Sequence, residues 1–215
     1  GWLDSFHTFS FGSFSDPTRM GFGNLRVINE DTLLPGTGFA PHDHADMDIL
    51  TLVLEGQIRH EDDQGNVATI SAGEIQGMSA GQGVRHSEMN ASSRDKAKFL
   101  QIWVIPDQTG GTPRYAQAAV PDTGDVLLAG PADQNPIIPI GSTTTLTLRR
   151  FQDGAALALP VNADSKRYVH LVDGLAFANG ERVSAGDGLQ LSPATATSLT
   201  WASDGAALVF DMPHR

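Results

Sequence analysis

Short strand-like segments separated by turn residues follow one another along this chain, with little helical periodicity. Brief apolar or alternating segments bounded by Gly, Pro, Asn and Asp are typical of β-strands joined by tight turns. The pattern therefore predicts an all-β fold. The predicted strands are Leu25–Asn29, Asp48–Leu54, Gln57–Glu61, Val67–Ile70, Glu74–Met78, Val84–Met89, Phe99–Ile105, Asp125–Leu128, Thr145–Phe151, Tyr168–Val172, Gly188–Leu191, Thr197–Trp201 and Ala206–Phe210. None of the apolar runs approaches the roughly 20 residues of a membrane-spanning helix, so we expect no membrane association.

The densest Pro, Gly and Asp content lies near the middle of the chain, in residues 106–113 and 121–124. Such composition is typical of a linker between domains. A chain of 215 residues is long enough for two domains of about 100 residues each. We therefore predict an N-terminal domain over residues 1–110 and a C-terminal domain over residues 111–215.

The two halves also share a pattern of turns and glycines. Residues 54–56 and 65–74 are echoed by residues 172–174 and 179–187, which suggests duplication of one β-domain. The alternative is that similar turn spacing recurs by chance in β-proteins. Counting the same number of residues from the matching glycines of each half pairs four polar residues of the first half with four different residues of the second. The pairs are His42 with Pro160, His44 with Asn162, His86 with Leu199 and Glu88 with Trp201.

Two pairs of potential metal ligands stand out in the first half, His42-Asp43-His44 and His86-Ser87-Glu88. Within each pair the ligands are two residues apart, and on a β-strand this spacing places both side chains on one face. Three imidazoles and one carboxylate can then converge on a single ion. Affinity alone does not choose among Fe(II), Mn(II), Co(II), Ni(II), Cu(II) and Zn(II) for such a set. We predict one metal per chain, in the N-terminal domain only.

Other polar and aromatic residues have less specific interpretations. We expect His60 to lie in a solvated hairpin, and His7, His170 and His214 to be structural or exposed. Asp48, at an even step from His44, is either an acceptor for an imidazole N–H or a solvent-facing strand residue. Five further residues are expected either to line the cup, meaning the cavity around the metal, or to belong to the hydrophobic core: Phe39, Met47, Met78, Met89 and Trp103.

Charge and composition narrow the choice of partners. The formal net charge of −11 would repel a phosphate backbone, so we expect no direct nucleic-acid binding. The chain contains no Cys, which is compatible with a reducing compartment, and we expect a cytoplasmic monomer.

Several motifs resemble the pirin family, in particular its bacterial quercetinase-like members. They are residues 1–12, 38–44, 52–56, 73–76 and 78–90. The resemblance implies a bicupin, two facing β-barrels with a metal bound only in the N-terminal one, by ligands that fall on His42, His44, His86 and Glu88. It also suggests that the chain lacks a first strand found in relatives. Asp48 stands where the family usually has Glu, and Gly77 replaces a larger residue; both are expected near the cup, where they would affect substrate preference.

The resemblance also implies a function. Iron(II) is the expected metal, and quercetinase-like relatives bind a flavonol through its 3-hydroxyl, deprotonate it, add O2 across the heterocycle and expel carbon monoxide. Glu88 is the expected catalytic base, because a carboxylate beside the metal is placed to accept the hydroxyl proton. The main alternative is a non-catalytic iron-binding regulator that acts on a protein partner, a transcription factor or a metabolic enzyme. Another cupin activity on an unrelated small molecule is a third interpretation, since function resides in the site and not in the fold.

Overall fold

The computed structural model describes residues 1–159, 164–191 and 197–213. Strands dominate, and within these ranges the helical element is a single 3-10 turn at Ala132–Gln134. The predicted all-β class is confirmed. The chain divides into two compact units, residues 1–120 with 137–142 and residues 121–136 with 143–215. These units are defined by packing rather than by independent folding, so the domain division at residue 110 stays a prediction.

The first unit consists of two antiparallel sheets. Their strands are β1 (Leu3–His7), β2 (Leu25–Leu33), β3 (Gly38–His44), β4 (Asp48–Glu55), β5 (Gln57–Asp62), β6 (Val67–Ser71), β7 (Glu74–Ser79), β8 (Val84–Asn90), β9 (Ala97–Val104) and β10 (Arg114–Ala119). One sheet has the strand order β1-β2-β9-β4-β7-β10 and the other has the order β3-β8-β5-β6. The unit also includes the two-residue β12 (Ile138–Pro139), which belongs to neither of these sheets.

Apolar residues of both sheets form the core of this unit. Strands β2, β4 and β9 supply Leu33, Val53 and Phe99, and the four-stranded sheet supplies Ile58 and Ile70. Side chains alternate between the two faces of a strand, so the same four-stranded sheet presents charged residues on its other side. Strand β8 shows this clearly, because its burial alternates residue by residue.

The second unit repeats this design. Its strands are β11 (Val126–Gly130), β13 (Thr145–Phe151), β14 (Ala156–Leu159), β15 (Ser165–Asp173), β16 (Leu175–Ala178), β17 (Glu181–Ser184), β18 (Gly188–Leu191), β19 (Thr197–Trp201) and β20 (Gly205–Pro213). Strands β11-β13-β20-β15-β18 are neighbours in one sheet, and β14-β19-β16-β17 form the other, in the same order as their counterparts in the first unit.

Apolar residues fill the core of the second unit. Leu199 and Trp201 are buried on one face of β19, and Trp201 stacks on Phe151 at 4.5 Å between ring centroids. These are the residues that the repeat matched to His86 and Glu88. Pro160 and Asn162, matched to His42 and His44, lie outside the described residues, as does His214.

All thirteen predicted strands coincide with part of a strand in the structure, but several strands were not predicted. The longest of these, β3, contains Pro41 and two histidines instead of an apolar pattern. Proline is tolerated there because β3 lies at the edge of its sheet. The segment at residues 106–113, predicted to be a linker between domains, is outside the strands but lies within the first unit, and β10 follows it directly. No helix among the described residues has the length and apolar character needed to cross a membrane.

Candidate metal centre

Strand β8 lies between β3 and β5, and it positions the predicted ligands. His42 is directly opposite His86 in the β3–β8 pairing, and a register shift between Phe39 and His42 precedes this pair. Asp43 points to the outer surface, where it forms an ion pair with Arg85 at 3.0 Å. The alternation of faces along β3 therefore leaves His42 and His44 on the inner side together.

Three imidazoles meet on this inner face. The ring centroids of His42 and His44 are 4.7 Å apart, those of His42 and His86 4.6 Å, and those of His44 and His86 4.9 Å. One ring nitrogen from each of the three lies within 4.8 Å of the other two. This arrangement has the donor type and the spacing of a site for a divalent transition metal.

The hydrogen bonds of two of these rings leave a nitrogen free to bind an ion. The Nδ1 of His42 is 2.8 Å from the carbonyl oxygen of Ala40. A carbonyl only accepts, so Nδ1 carries the proton and Nε2 of His42 keeps its lone pair. The Nε2 of His86 is buried and has no hydrogen-bond partner. Leaving a buried polar atom unpaired is costly, and a metal bound there would remove that cost. The residues present therefore fit a metal ion.

Glu88 lines a cavity together with His42 and His44, and three neutral groups hold its carboxylate. Thr51 Oγ1 and Gln76 Nε2 donate to Oε1 at 2.9 and 2.7 Å, and Gln101 Nε2 donates to Oε2 at 2.7 Å. The carboxylate is buried and fixed in orientation. The cluster of mutually close ligand atoms consists of the three imidazoles. Glu88 as a fourth ligand stays a prediction.

The cavity that His42, His44 and Glu88 share is narrow, with a volume of about 40 Å³. Aromatic rings form part of its wall, and polar side chains form most of the remainder: its lining is Phe11, Asn29, Asp31, Phe39, His42, His44, Glu88, Gln101 and Trp103. Burial raises the pKa of Asp31 to about 6, against the opposing effect of a hydrogen bond from Ser5. The cavity thus combines apolar walls with two carboxyl groups.

Burial also shapes the electrostatics of the imidazoles. It lowers the pKa of His44 to about 4 and that of His86 to about 3, and the neighbouring imidazoles contribute to both shifts. At neutral pH both rings are therefore uncharged in the metal-free protein, which is the form that binds a metal.

We expect the metal-free protein to lose stability as the pH falls from about 6.5 towards 4. Unfolded imidazoles titrate near their ordinary value of 6.5, whereas folded His44 and His86 titrate near 4 and 3. Between these values the unfolded chain binds more protons, so acid favours unfolding. Urea denaturation at pH 7.5, 5.5 and 4.5 measures the effect. A His44→Gln/His86→Gln variant should show a shallower pH dependence, and an unchanged one would contradict the explanation.

Several expectations about neighbouring residues were wrong. His60 is fully buried, with Nε2 3.2 Å from Asp62 Oδ2 and Nδ1 3.4 Å from His86 Nδ1. The sequence contained an indication of the contact between His60 and Asp62, because His60-Glu61-Asp62 has the same two-residue spacing as the ligand pairs. Burial raises the pKa of Asp62, but hydrogen bonds from Asn66 and His60 outweigh it and hold this pKa below its usual value.

Asp48 fulfils neither of its two interpretations. It is buried, and its carboxylate accepts hydrogen bonds from Ser79 Oγ at 2.5 Å and from the backbone N–H of Gly141 at 2.8 Å. Burial raises its pKa. Gly77 lies on β7, where a Cβ atom would collide with Ile138. Neither residue lines the cavity beside the imidazoles.

The other histidines and the expected cup residues divide between wall and core. His7 Nδ1 contacts Asn29 Oδ1 at 2.8 Å, and His170 is buried in the second unit, so both are structural. Phe39 and Trp103 line the cavity, whereas Met78 packs against Ile49 and Val84 in the core.

Both halves of the chain match models of known protein families. Residues 1–104 match the family model for pirin, and residues 127–212 match the model of the quercetinase C-terminal cupin domain. The chain is 40% identical over 214 residues to quercetin 2,3-dioxygenase of Escherichia coli strain K12. The matched residues cover 99% of this chain and 93% of the relative. It is 35% identical over 217 residues to a pirin-like protein of Caulobacter vibrioides, with coverage of 98% and 93%.

Two crystal structures of one bacterial protein are similar to the whole chain. YhhW from Escherichia coli is 40% identical and has a TM-score of 0.95, covering 100% of this chain and 92% of its own. The structure of the bacterial pirin YhhW in complex with nickel(II) has a TM-score of 0.94, with coverage of 100% and 93%. The matches extend over both units, and they confirm two cupin domains.

Proposed function

This chain belongs to the pirin family, and from that premise we propose that it is a metal-dependent dioxygenase that opens the heterocycle of quercetin-like flavonols with O2. The observation that carries the proposal is the convergence of three imidazoles, two of which line a cavity together with a buried carboxylate. The relative named quercetin 2,3-dioxygenase supports the choice of substrate class.

His42, His44 and His86 would hold the metal, with Glu88 as the fourth ligand implied by the family resemblance. When bound, the ion would supply a Lewis-acid site with positions for substrate and O2. We propose iron(II) as the physiological ion. The nickel(II) complex of YhhW supports a divalent-metal site in this family without deciding the metal here.

Glu88 is the proposed base for the 3-hydroxyl of the substrate. Both of its carboxylate oxygens accept hydrogen bonds from uncharged donors, which fix the orientation of the carboxylate on the cavity wall. A general base must lie within hydrogen-bond reach of the proton that it accepts. A hydroxyl group that entered the cavity next to the imidazoles would meet this requirement.

The walls of the cavity favour a flat aromatic substrate that enters edge first. Phe39 and Trp103 provide apolar surfaces beside His42 and His44, and the Trp103 ring is 4.9 Å from that of His44. Sites for drug-sized ligands typically measure about 300–1,000 Å³. Since the cavity measures about 40 Å³, we infer that only the hydroxyl-bearing edge of a flavonol reaches it.

We expect the metal-loaded protein to consume quercetin and O2 without added reductant, and to leave the 3-deoxy analogue intact. The analogue lacks both the oxygen that would bind beside the imidazoles and the proton that Glu88 would accept. Loss of flavonol absorbance with parallel detection of carbon monoxide measures the reaction, after anaerobic loading with each divalent metal in turn. Equal turnover of the 3-deoxy analogue would contradict the binding mode. No turnover with any metal in the folded protein would contradict the dioxygenase proposal and favour the regulatory alternative.

A further inference from the structure

A buried hydrogen-bonded series leads from one predicted ligand into the protein. His86 Nδ1 is 3.4 Å from His60 Nδ1, and His60 Nε2 is 3.2 Å from Asp62 Oδ2. The side chains of His60 and Asp62 are 0% and 1% exposed. Burying polar groups is unfavourable unless each has a partner, and this series provides one for His86 Nδ1, for both nitrogens of His60 and for Asp62 Oδ2. We call the three residues the Asp62–His60–His86 relay.

The far end of the relay is anchored as a hydrogen-bond acceptor. Asp62 Oδ1 accepts from the backbone N–H groups of Gln64 and Asn66 at 3.0 and 2.9 Å. Asp62 Oδ2 accepts from the side-chain amide of Asn66 at 2.8 Å. Both oxygens of Asp62 accept hydrogen bonds, and an ionised carboxylate can only accept. The nitrogen with which His60 contacts Asp62 must therefore be a donor.

This anchor determines which nitrogen of each ring carries the proton. His60 donates from Nε2, so in the neutral ring Nδ1 is an acceptor. His86 must then donate from Nδ1, which leaves the lone pair on its Nε2. That nitrogen is the buried atom without a partner, one of the three that converge in the imidazole cluster. We propose that His60 and Asp62 are positioning residues that hold His86 in its metal-binding tautomer. The proposal rests on the metal site of the proposed function.

Two further observations support a dedicated role. The ring of Tyr115 lies against His60, with centroids 4.8 Å apart, and restricts its orientation. In the first unit, Asp62 and His60 are directly opposite His86 and Glu88 across the β5–β8 pairing. In the second unit, the equivalent pairing of β16 with β19 places Ala178 and Ala176 opposite Leu199 and Trp201. The unit in which the matched ligand positions are apolar therefore has alanines in place of the relay residues.

Asp62→Asn is the sharpest test, because it should reverse the relay. The amide nitrogen introduced near His60 would donate a hydrogen bond to His60 Nε2. His60 would then carry its proton on Nδ1 and donate a hydrogen bond from there to His86 Nδ1. His86 would then be protonated on Nε2, where it cannot bind a metal. Loss of an outer-shell partner of a metal-binding histidine typically costs about 10- to 100-fold in affinity. His60→Phe, which removes the acceptor for His86, should weaken affinity within the same range.

Two measurements on the full chain test the proposal. Nitrogen-15 NMR of the metal-free protein should show His86 protonated on Nδ1 in the wild type and on Nε2 in Asp62→Asn. Competition with a chromophoric chelator should show the loss of Ni(II) and Fe(II) affinity in both variants. Ile58→Val shortens a buried side chain on the same face of β5 without entering the relay, and it should leave tautomer and affinity unchanged.

Unchanged tautomer and affinity in Asp62→Asn would overturn the proposal, as would an equal loss of affinity in Ile58→Val. If His60→Phe does not fold, Asp62→Asn decides alone. The NMR measurement needs neither metal nor substrate, so the relay can be refuted or supported even if the wild type binds no metal. Failure of metal binding or of flavonol turnover in the wild type would instead count against the proposed function.

Discussion

The wild-type protein is expected to hold one metal ion per chain, and a His42→Ala/His86→Ala variant is expected to hold none and to show no measurable turnover. The two rings are directly opposite each other and supply two of the three converging nitrogens. Losing an outer-shell partner typically costs about 10- to 100-fold in affinity, so losing two ligands should cost well over 100-fold. Elemental analysis after dialysis measures the metal content, and flavonol consumption measures the activity.

Asp43→Asn is the matched control for this double variant. Asp43 lies between the two histidines of β3, but its side chain is on the outer surface, paired with Arg85. Metal content and turnover should therefore stay at the wild-type level. Two ions per wild-type chain would contradict the single site, and metal retained by the double variant would place the ion elsewhere.

Glu88→Gln is expected to lower turnover by about 10²- to 10⁴-fold, the typical contribution of general acid–base catalysis, while most of the metal content is retained. The amide keeps an oxygen that can face the ion, but it cannot accept the hydroxyl proton. The surrounding donors can adapt, because the side-chain amide of Gln101 can rotate to present its oxygen. The measurement is kcat in samples matched for metal content.

Thr51→Val provides the control for Glu88→Gln. It removes one of the three hydrogen bonds to the carboxylate but keeps the carboxylate itself. Its turnover should fall far less than that of Glu88→Gln. Full turnover in metal-replete Glu88→Gln would show that Glu88 is not the base, and equal losses in the two variants would assign the effect to the hydrogen-bond network.

Spacing along single strands was the part of the site that the sequence could predict. The two-residue period of β-structure placed His42 with His44 and His86 with Glu88, and the structure has each pair on the inner side of β3 or β8. The direct opposition of His42 and His86 could not be predicted, because it depends on strand pairing between residues far apart in the chain.

The error over His60 has a physical cause. Arg59 and Glu61 are charged and exposed, and they made the whole segment look solvated. A period of two, however, places the residues between them on the opposite face. Whether that face meets solvent or a second imidazole depends on the β5–β8 register, which the local sequence does not contain.

The error over Asp48 arose where the chain leaves the extended conformation. An even step from His44 predicts a shared face only if one strand continues. Asp46 instead adopts a positive φ of 53°, and β3 ends before β4 begins in the other sheet. Asp48 therefore faces Ser79 and Gly141 rather than an imidazole.

The edge position of β3 has a consequence for how an ion is exchanged. Two of the three converging imidazoles are on a strand with a hydrogen-bonded neighbour on one side only, whereas His86 is on an internal strand. Strands with few backbone hydrogen bonds open locally at a lower free energy than internal ones. Local opening of β3 would separate His42 and His44 from His86 without global unfolding. A bound ion would therefore link an edge strand of the sheet to an internal one, and local opening of that edge would offer it a route of release.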